Sequence, residues 1–230
     1  MGKLLAEFPV RVTEFPQWYR FPPRDGPVKL AVDEWGIWNG GQSGKEEMWG
    51  LDMTYSWQDA LGVASWLNAL QRHADITGMA TWAQLVNIIA PILSDAKASI
   101  RQVVFYPLEL YRRHSGNWAV SAQCQGPALP GGSKLPALDV SASLDERTHT
   151  LTLAVVNRHP TEPIAARIQF QGTAYRRLQA GYELTAPALD AHNSLASPTS
   201  ECVCRRRFAG QSDFEAYSFP PCSISLLLLQ

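Results

Sequence analysis

Charge, cysteine and long apolar runs are all scarce in this chain. Only 18% of its 230 residues are charged, and the formal net charge is −1. That balance provides no electrostatic reason to expect nucleic acid or an anionic membrane as partner. The short cluster Arg205-Arg206-Arg207 reads as a solvated strand face. No stretch approaches the ~18 apolar residues of a membrane helix, and Leu226 to Leu229 is too short to qualify. Met1 to Pro9 lack the apolar core of a secretory signal, so a cytoplasmic setting is expected. Four cysteines, Cys124, Cys202, Cys204 and Cys222, are too few for a disulfide scaffold. Cys202-Val203-Cys204 has no second pair to complete a metal-ligand set, so free thiols in a reducing compartment are expected. No Gly-rich phosphate loop, serine elbow, metal cluster or internal repeat stands out.

What is present is 46% hydrophobic residues, enough for a globular core. Residues 1–27 mix prolines with Phe15, Trp18, Tyr19 and Phe21 and read as an irregular lead-in. Val28 to Val32 is a short apolar run, expected as a strand buried on both faces. Asn39 to Met53 reads as a loop. Ser56-Trp57-Gln58-Asp59 resembles a capping box with Asp in place of Glu. After it Ala60, Val63, Ala64, Leu67 and Leu70 fall at helical spacing, with Arg72 and His73 suited to the helix C-terminus. A second strand is expected over Ile76 to Ala80. A second helix is expected through Leu85, Val86, Ile88 and Ile89, curtailed by Pro91. Strand, helix, strand, helix is the signature of a parallel sheet.

From about Ser99 the period changes to two. Leu138, Val140, Ala142 and Leu144 alternate with polar residues, Asp145 to Thr148 makes a turn, and Leu151, Leu153 and Val155 resume. Further strands are expected at Arg101–Tyr106, Ala166–Phe170 and Ser223–Leu228, and a surface loop at Gly126 to Lys134. Short alternating strands with polar turns predict an antiparallel β-sandwich. Two βα units can neither close a barrel nor cover a parallel pair, so the first third reads as the tail of a larger α/β domain.

The strongest chemical signal is at Asp33-Glu34, where the first strand ends between Trp35 and Trp38. Carboxylates are costly to bury unless paired or used, and barrel enzymes carry their chemistry at strand ends. Acids beside aromatic surfaces suit a sugar-cleaving pocket. The blander alternatives are a salt-bridging strand-end acid for Glu34, core aromatics for both tryptophans, and a helix cap for Gln84. Asp33 reads as orienting the strand end, Arg101 and Tyr106 as joining two domains, and Asn157 and Arg158 as structural.

The run Asp33 to Trp38 resembles the family 51 glycoside hydrolases, the α-L-arabinofuranosidases. The resemblance continues at Asp59-Ala60-Leu61, at Leu67 to Asp75, at Ala83 to Ile92, at Leu138 to Ala142 and at Leu153 to Arg158. It implies the last two βα units of a (β/α)8 barrel over residues 28–98, followed by a jelly-roll-like antiparallel β-sandwich over 99–230. By that resemblance Glu34 matches the catalytic nucleophile, while Trp38 and Gln84 match residues that contact the sugar. Gly36 stands where the family commonly has asparagine. The family's acid/base glutamate follows an asparagine, and no Asn-Glu dipeptide occurs in the chain. Glu46 and Glu47 are poor substitutes on a loop.

The implied activity is release of terminal arabinofuranose from arabinose-containing oligosaccharides or polysaccharides, without cofactor or metal, and with the isolated chain inactive or nearly so. A homo-oligomer, or a companion carrying the missing barrel half, is the expected protein partner. A non-catalytic carbohydrate-binding or assembly module is the alternative, and an incomplete reading frame a third.

Overall fold

A computed structural model of the chain describes residues 29–38, 53–131, 133–172 and 175–230. The expected lead-in over 1–27, Val28, most of the loop from Asn39, and both Glu46 and Glu47 lie outside the described residues.

The first strand, β1 (Leu30–Trp35), pairs in parallel with β2 (Thr77–Trp82), and helix α1 (Trp57–Arg72) connects them. The capping signal works as read: the Asp59 carboxylate accepts from the Ser56 N–H at 2.8 Å and its hydroxyl at 2.9 Å. Burial of β1 differs from the expectation. Leu30 and Val32 pack inward, whereas Ala31 is exposed, as are Gly78 to Thr81 of β2. The pair is covered on one face only among the described residues, because α1 lies on one side.

The helix expected through Leu85 to Ile89 does not form. Gln84, Asn87 and Ile88 take left-handed backbone angles, φ 64°, 63° and 60°, which end any right-handed helix. The Ile89 carbonyl accepts instead from the Trp82 indole and the Tyr55 hydroxyl, each at 2.9 Å. The Asn87 side chain accepts from the Ser94 N–H at 2.7 Å. A hairpin of β3 (Ile92–Ser94) and β4 (Ser99–Arg101) follows. The strand expected over Arg101–Tyr106 is a second correction: β4 stops at Arg101, and α2 (Phe105–His114) begins within that run. Its Pro107 sits in the first turn, where a missing N–H costs nothing.

The remaining strands are β5 (Trp118–Val120), β6 (Leu138–Asp145), β7 (Thr150–Asn157), β8 (Ile164–Arg167), β9 (Leu178–Thr185), β10 (Cys204–Gln211), β11 (Ala216–Phe219) and β12 (Ser223–Leu229). Six form an antiparallel sheet in the order β10-β9-β12-β7-β6-β5, and β8 pairs with β11 separately. The β6–β7 turn is the expected one, its Asp145 side chain accepting from the Arg147 and Thr148 N–H groups. The main sheet is a middle layer. Ile224 and Leu226 of β12, with Ala154 and Val156 of β7, join a core shared with Trp35, Trp57, Val63 and Tyr106. Leu227 and Leu229 face the other way, into a second core with Phe214 and Phe219. A strand covered on both faces reads as the continuous apolar run seen at Leu226 to Leu229.

Because α1 sits between the parallel pair and this sheet, it is buried on most of its circumference. Polar anchors hold it there. The first-turn N–H groups of Trp57 and Gln58 donate to the Ala191 and Leu189 carbonyls, both at 2.9 Å. The Trp57 indole donates to the Cys222 carbonyl at 2.7 Å. Asn68 Oδ1 accepts from Tyr111 and Ser141, and Arg72 ion-pairs with Asp139 at 2.8 Å.

Candidate active site at the end of the parallel pair

The register of the parallel pair decides where the candidate residues fall. Trp35 stands opposite Trp82, so Glu34 is one residue before the last pairing, Trp38 three beyond it, and Gln84 two beyond it on the neighbouring strand. All three sequence positions therefore lie at the same, C-terminal end of β1 and β2.

The pairing slips at that point. Val32 opposes Ala80, but the next partners are Trp35 and Trp82, leaving Asp33 and Glu34 against a single residue of β2. An opposite slip between Leu30 and Ala31 compensates it. Bulges re-aim side chains, and sites at strand ends use them. Here the Thr81 hydroxyl donates to the Asp33 carbonyl at 2.8 Å, satisfying a group that the slip takes out of the ladder. The Asp33 and Glu34 side chains are both exposed.

An aromatic floor supports the bulge. Trp35 is buried, stacked on Trp66 at 6.2 Å and edge-on to Trp82 at 5.2 Å. Tyr55 meets Trp82 edge-on at 5.8 Å. Its hydroxyl also lies 3.1 Å from the Ile37 carbonyl, tying the segment after β1 to that after β2. Burial, with the nearby Asp59 carboxylate, pushes the Tyr55 phenol well above its ordinary range, so it stays a protonated donor. Gly36 completes the floor: a Cβ there would stand 3.1 Å from the Trp82 ring.

Trp35 is thus a core aromatic, whereas Trp38 is 63% exposed. Gln84 is exposed in a left-handed conformation with no helix after it, which removes the capping alternative. Sequence reasoning missed Tyr55, Thr81 and Gln102. Gln102 is buried and bridges the Tyr55 N–H with the Met53 and Ala90 carbonyls, over 2.8–3.0 Å. Nothing in one sequence marks a lone glutamine as such a bridge. Among the described residues no group of His, Cys, Asp and Glu is arranged to hold a metal ion.

Comparisons with known proteins agree with this frame. The family model described as alpha-L-arabinofuranosidase C-terminal domain matches residues 33–223. A probable alpha-L-arabinofuranosidase C of Aspergillus flavus is 30% identical over 219 residues, 90% of this chain and 40% of that protein. An intracellular exo-alpha-(1->5)-L-arabinofuranosidase of Halalkalibacterium halodurans is 31% identical over 147 residues, 60% of this chain and 29% of that protein. The GH51 arabinofuranosidase structure from Xanthomonas axonopodis pv. citri superposes with a TM-score of 0.76 at 28% identity, covering 88% of this chain and 41% of that one. The chain thus spans at most about 40% of the length of these relatives. With its strand-end motif and five of the six strands of its antiparallel sheet inside the matched residues, the chain belongs to the α-L-arabinofuranosidase C-terminal domain family, the C-terminal portion of the family 51 enzymes.

Proposed function

We propose that this chain supplies the nucleophile side of a retaining α-L-arabinofuranosidase. Glu34 attacks the anomeric carbon of a terminal arabinofuranosyl residue and forms a glycosyl ester as the glycosidic C–O bond breaks, the leaving oxygen taking its proton from the acid/base carboxyl. Water then releases arabinose with retention. Trp38 stacks on the sugar and Gln84 hydrogen-bonds it. The observation that carries this reading is the bulge at Asp33-Glu34, which sets the carboxylate at the strand end shared with Trp38 and Gln84.

A retaining mechanism needs a second carboxyl group about 5–5.5 Å from the first. With no Asn-Glu dipeptide in 230 residues, the acid/base is assigned to residues outside these 230. Residues 28–98 supply the end of the barrel and 99–230 carry the sandwich, with α2 sealing the two together. Met79, Leu85 and Val86 are exposed apolar side chains at or beside β2, and a companion barrel segment or a second copy is their proposed cover. A cytoplasmic setting accompanies this reading, as one relative is named intracellular. No helix among the described residues is long and apolar enough to cross a membrane.

The test is hydrolysis of an aryl α-L-arabinofuranoside by the purified chain, with sugar binding followed in parallel. The expected result is negligible turnover and weak binding of arabinose that Trp38→Ala abolishes. Robust turnover surviving in Glu34→Gln would overturn the nucleophile assignment. Retention of arabinan without hydrolysis, unchanged in Trp38→Ala, would favour a binding module on the sandwich instead.

A further inference from the structure

On the far side of α1 from the strand-end site lies a cavity of about 260 Å³, between the C-terminal half of that helix and the start of β6. Its charged lining consists of Arg72, Asp139 and Arg158. Asp139 is already engaged: Arg72 Nη1 donates to its Oδ1 at 2.8 Å and to the Val140 carbonyl at 2.6 Å. Arg158, immediately after β7, is left with a different balance. One nitrogen of its guanidinium donates to the Pro136 carbonyl, while its Nε is buried without a hydrogen-bond partner. No carboxylate lies within ion-pair distance of it among the described residues.

A half-buried guanidinium whose attracting carboxylate, Asp139, is already ion-paired to Arg72 is costly, because burial penalises the charged form and an orphaned donor adds its own desolvation. Burial and the neighbouring Arg72 both pull the Arg158 pKa down, against the attraction of Asp139. The fork geometry of guanidinium matches a carboxylate. Apart from Ser65 and Cys124, the uncharged side chains of the lining, including Ala69, Ala122 and Leu138, are apolar. The space is slightly smaller than ordinary small-molecule pockets, which start near ~300 Å³. We propose that this cavity binds a small organic carboxylate, its anionic head on Arg158 and its carbon chain against Ala122 and Leu138. The site is separate from the strand-end carboxylate and does not depend on the glycosidase reading.

Cys124 lines the same cavity, and its half-buried thiol supplies a reporter. Alkylation of each cysteine by iodoacetamide is followed by peptide mass spectrometry, with sodium butyrate, sodium acetate or inorganic phosphate added. For a Kd on the order of 1 mM, butyrate at about 10 mM slows Cys124 alkylation roughly tenfold. Exposed Cys204, outside the cavity, reacts at an unchanged rate. Acetate protects less than butyrate, since it leaves the apolar wall uncovered. Arg158→Gln loses the protection; so does Ala122→Phe, which keeps the guanidinium and fills the space, should the first variant fold poorly. Absence of protection by butyrate, equal protection in Arg158→Gln, or protection by phosphate matching that by butyrate would each overturn the proposal.

Discussion

Gln102 makes three hydrogen bonds from one buried amide, holding the backbone of Met53, Tyr55 and Ala90 together beneath the strand ends. Gln102→Ala leaves a backbone donor and two acceptors unmatched and opens a small void. A loss of roughly 2–4 kcal/mol is expected, read as a lower urea midpoint at unchanged m-value. Gly36 is a second residue where one atom decides. The Trp82 ring is pinned by its indole bond to Ile89, so a Cβ at 3.1 Å displaces a side chain with little freedom. Gly36→Asn, which installs the residue common in the family, is expected to cost about 1 kcal/mol rather than to stabilise. Thermal unfolding of the two proteins decides it. Neither role was legible beforehand: Gln102 depends on partners distant in sequence, and the glycine departure could be seen but not the indole it accommodates.

Among the elements, α1 was the most legible, because its capping signal and its 3.6-residue period are local. Asp59 accepts from both the Ser56 N–H and hydroxyl and is nearly fully buried. Asp59→Ala is expected to cost about 1–2 kcal/mol, with hydrogen exchange rising first in the opening turn of the helix. The segments on either side of Pro91 differ from expectation in opposite directions. Leu85 to Ile89 carries apolar residues at helical spacing, yet its Ile89 carbonyl is claimed by bonds from Tyr55 and Trp82 and its Asn87 side chain by the Ser94 N–H, which are tertiary or cross-turn partners. Arg101 to Tyr106 has the β-branched and aromatic content of a strand, yet Phe105 onward winds into α2 against α1 and β12. In both, packing overrode propensity.

At the scale of the whole molecule, α2 is also where a pH response enters. His114 at its end stacks on Tyr182 at 4.1 Å, with Arg113 and Arg207 nearby. Burial first, then those two cations, lower its pKa from the ordinary 6.5. The native state therefore favours the neutral ring, so the unfolded chain binds more protons in the window just below pH 6.5. The contribution is complete above that value and is lost as the pH falls through the depressed folded pKa. Melting temperatures measured from pH 7.5 down to about 5 should decline, and less steeply in His114→Gln; equal slopes would remove this histidine from the account. The sequence by itself determined the order of parts: a carboxylate-tipped strand, a capped helix, then alternating strands joined by an Asp145 turn. These follow from short-range periodicity and turn chemistry, which neighbours along the chain are sufficient to specify. Only the tertiary structure decided the bulge that turns out Glu34, the left-handed path through Gln84, and the placement of α1 in a core shared with the antiparallel sheet. Each depends on partners dozens of residues away, and the burial and hydrogen bonds they supply outweigh what the local sequence prefers.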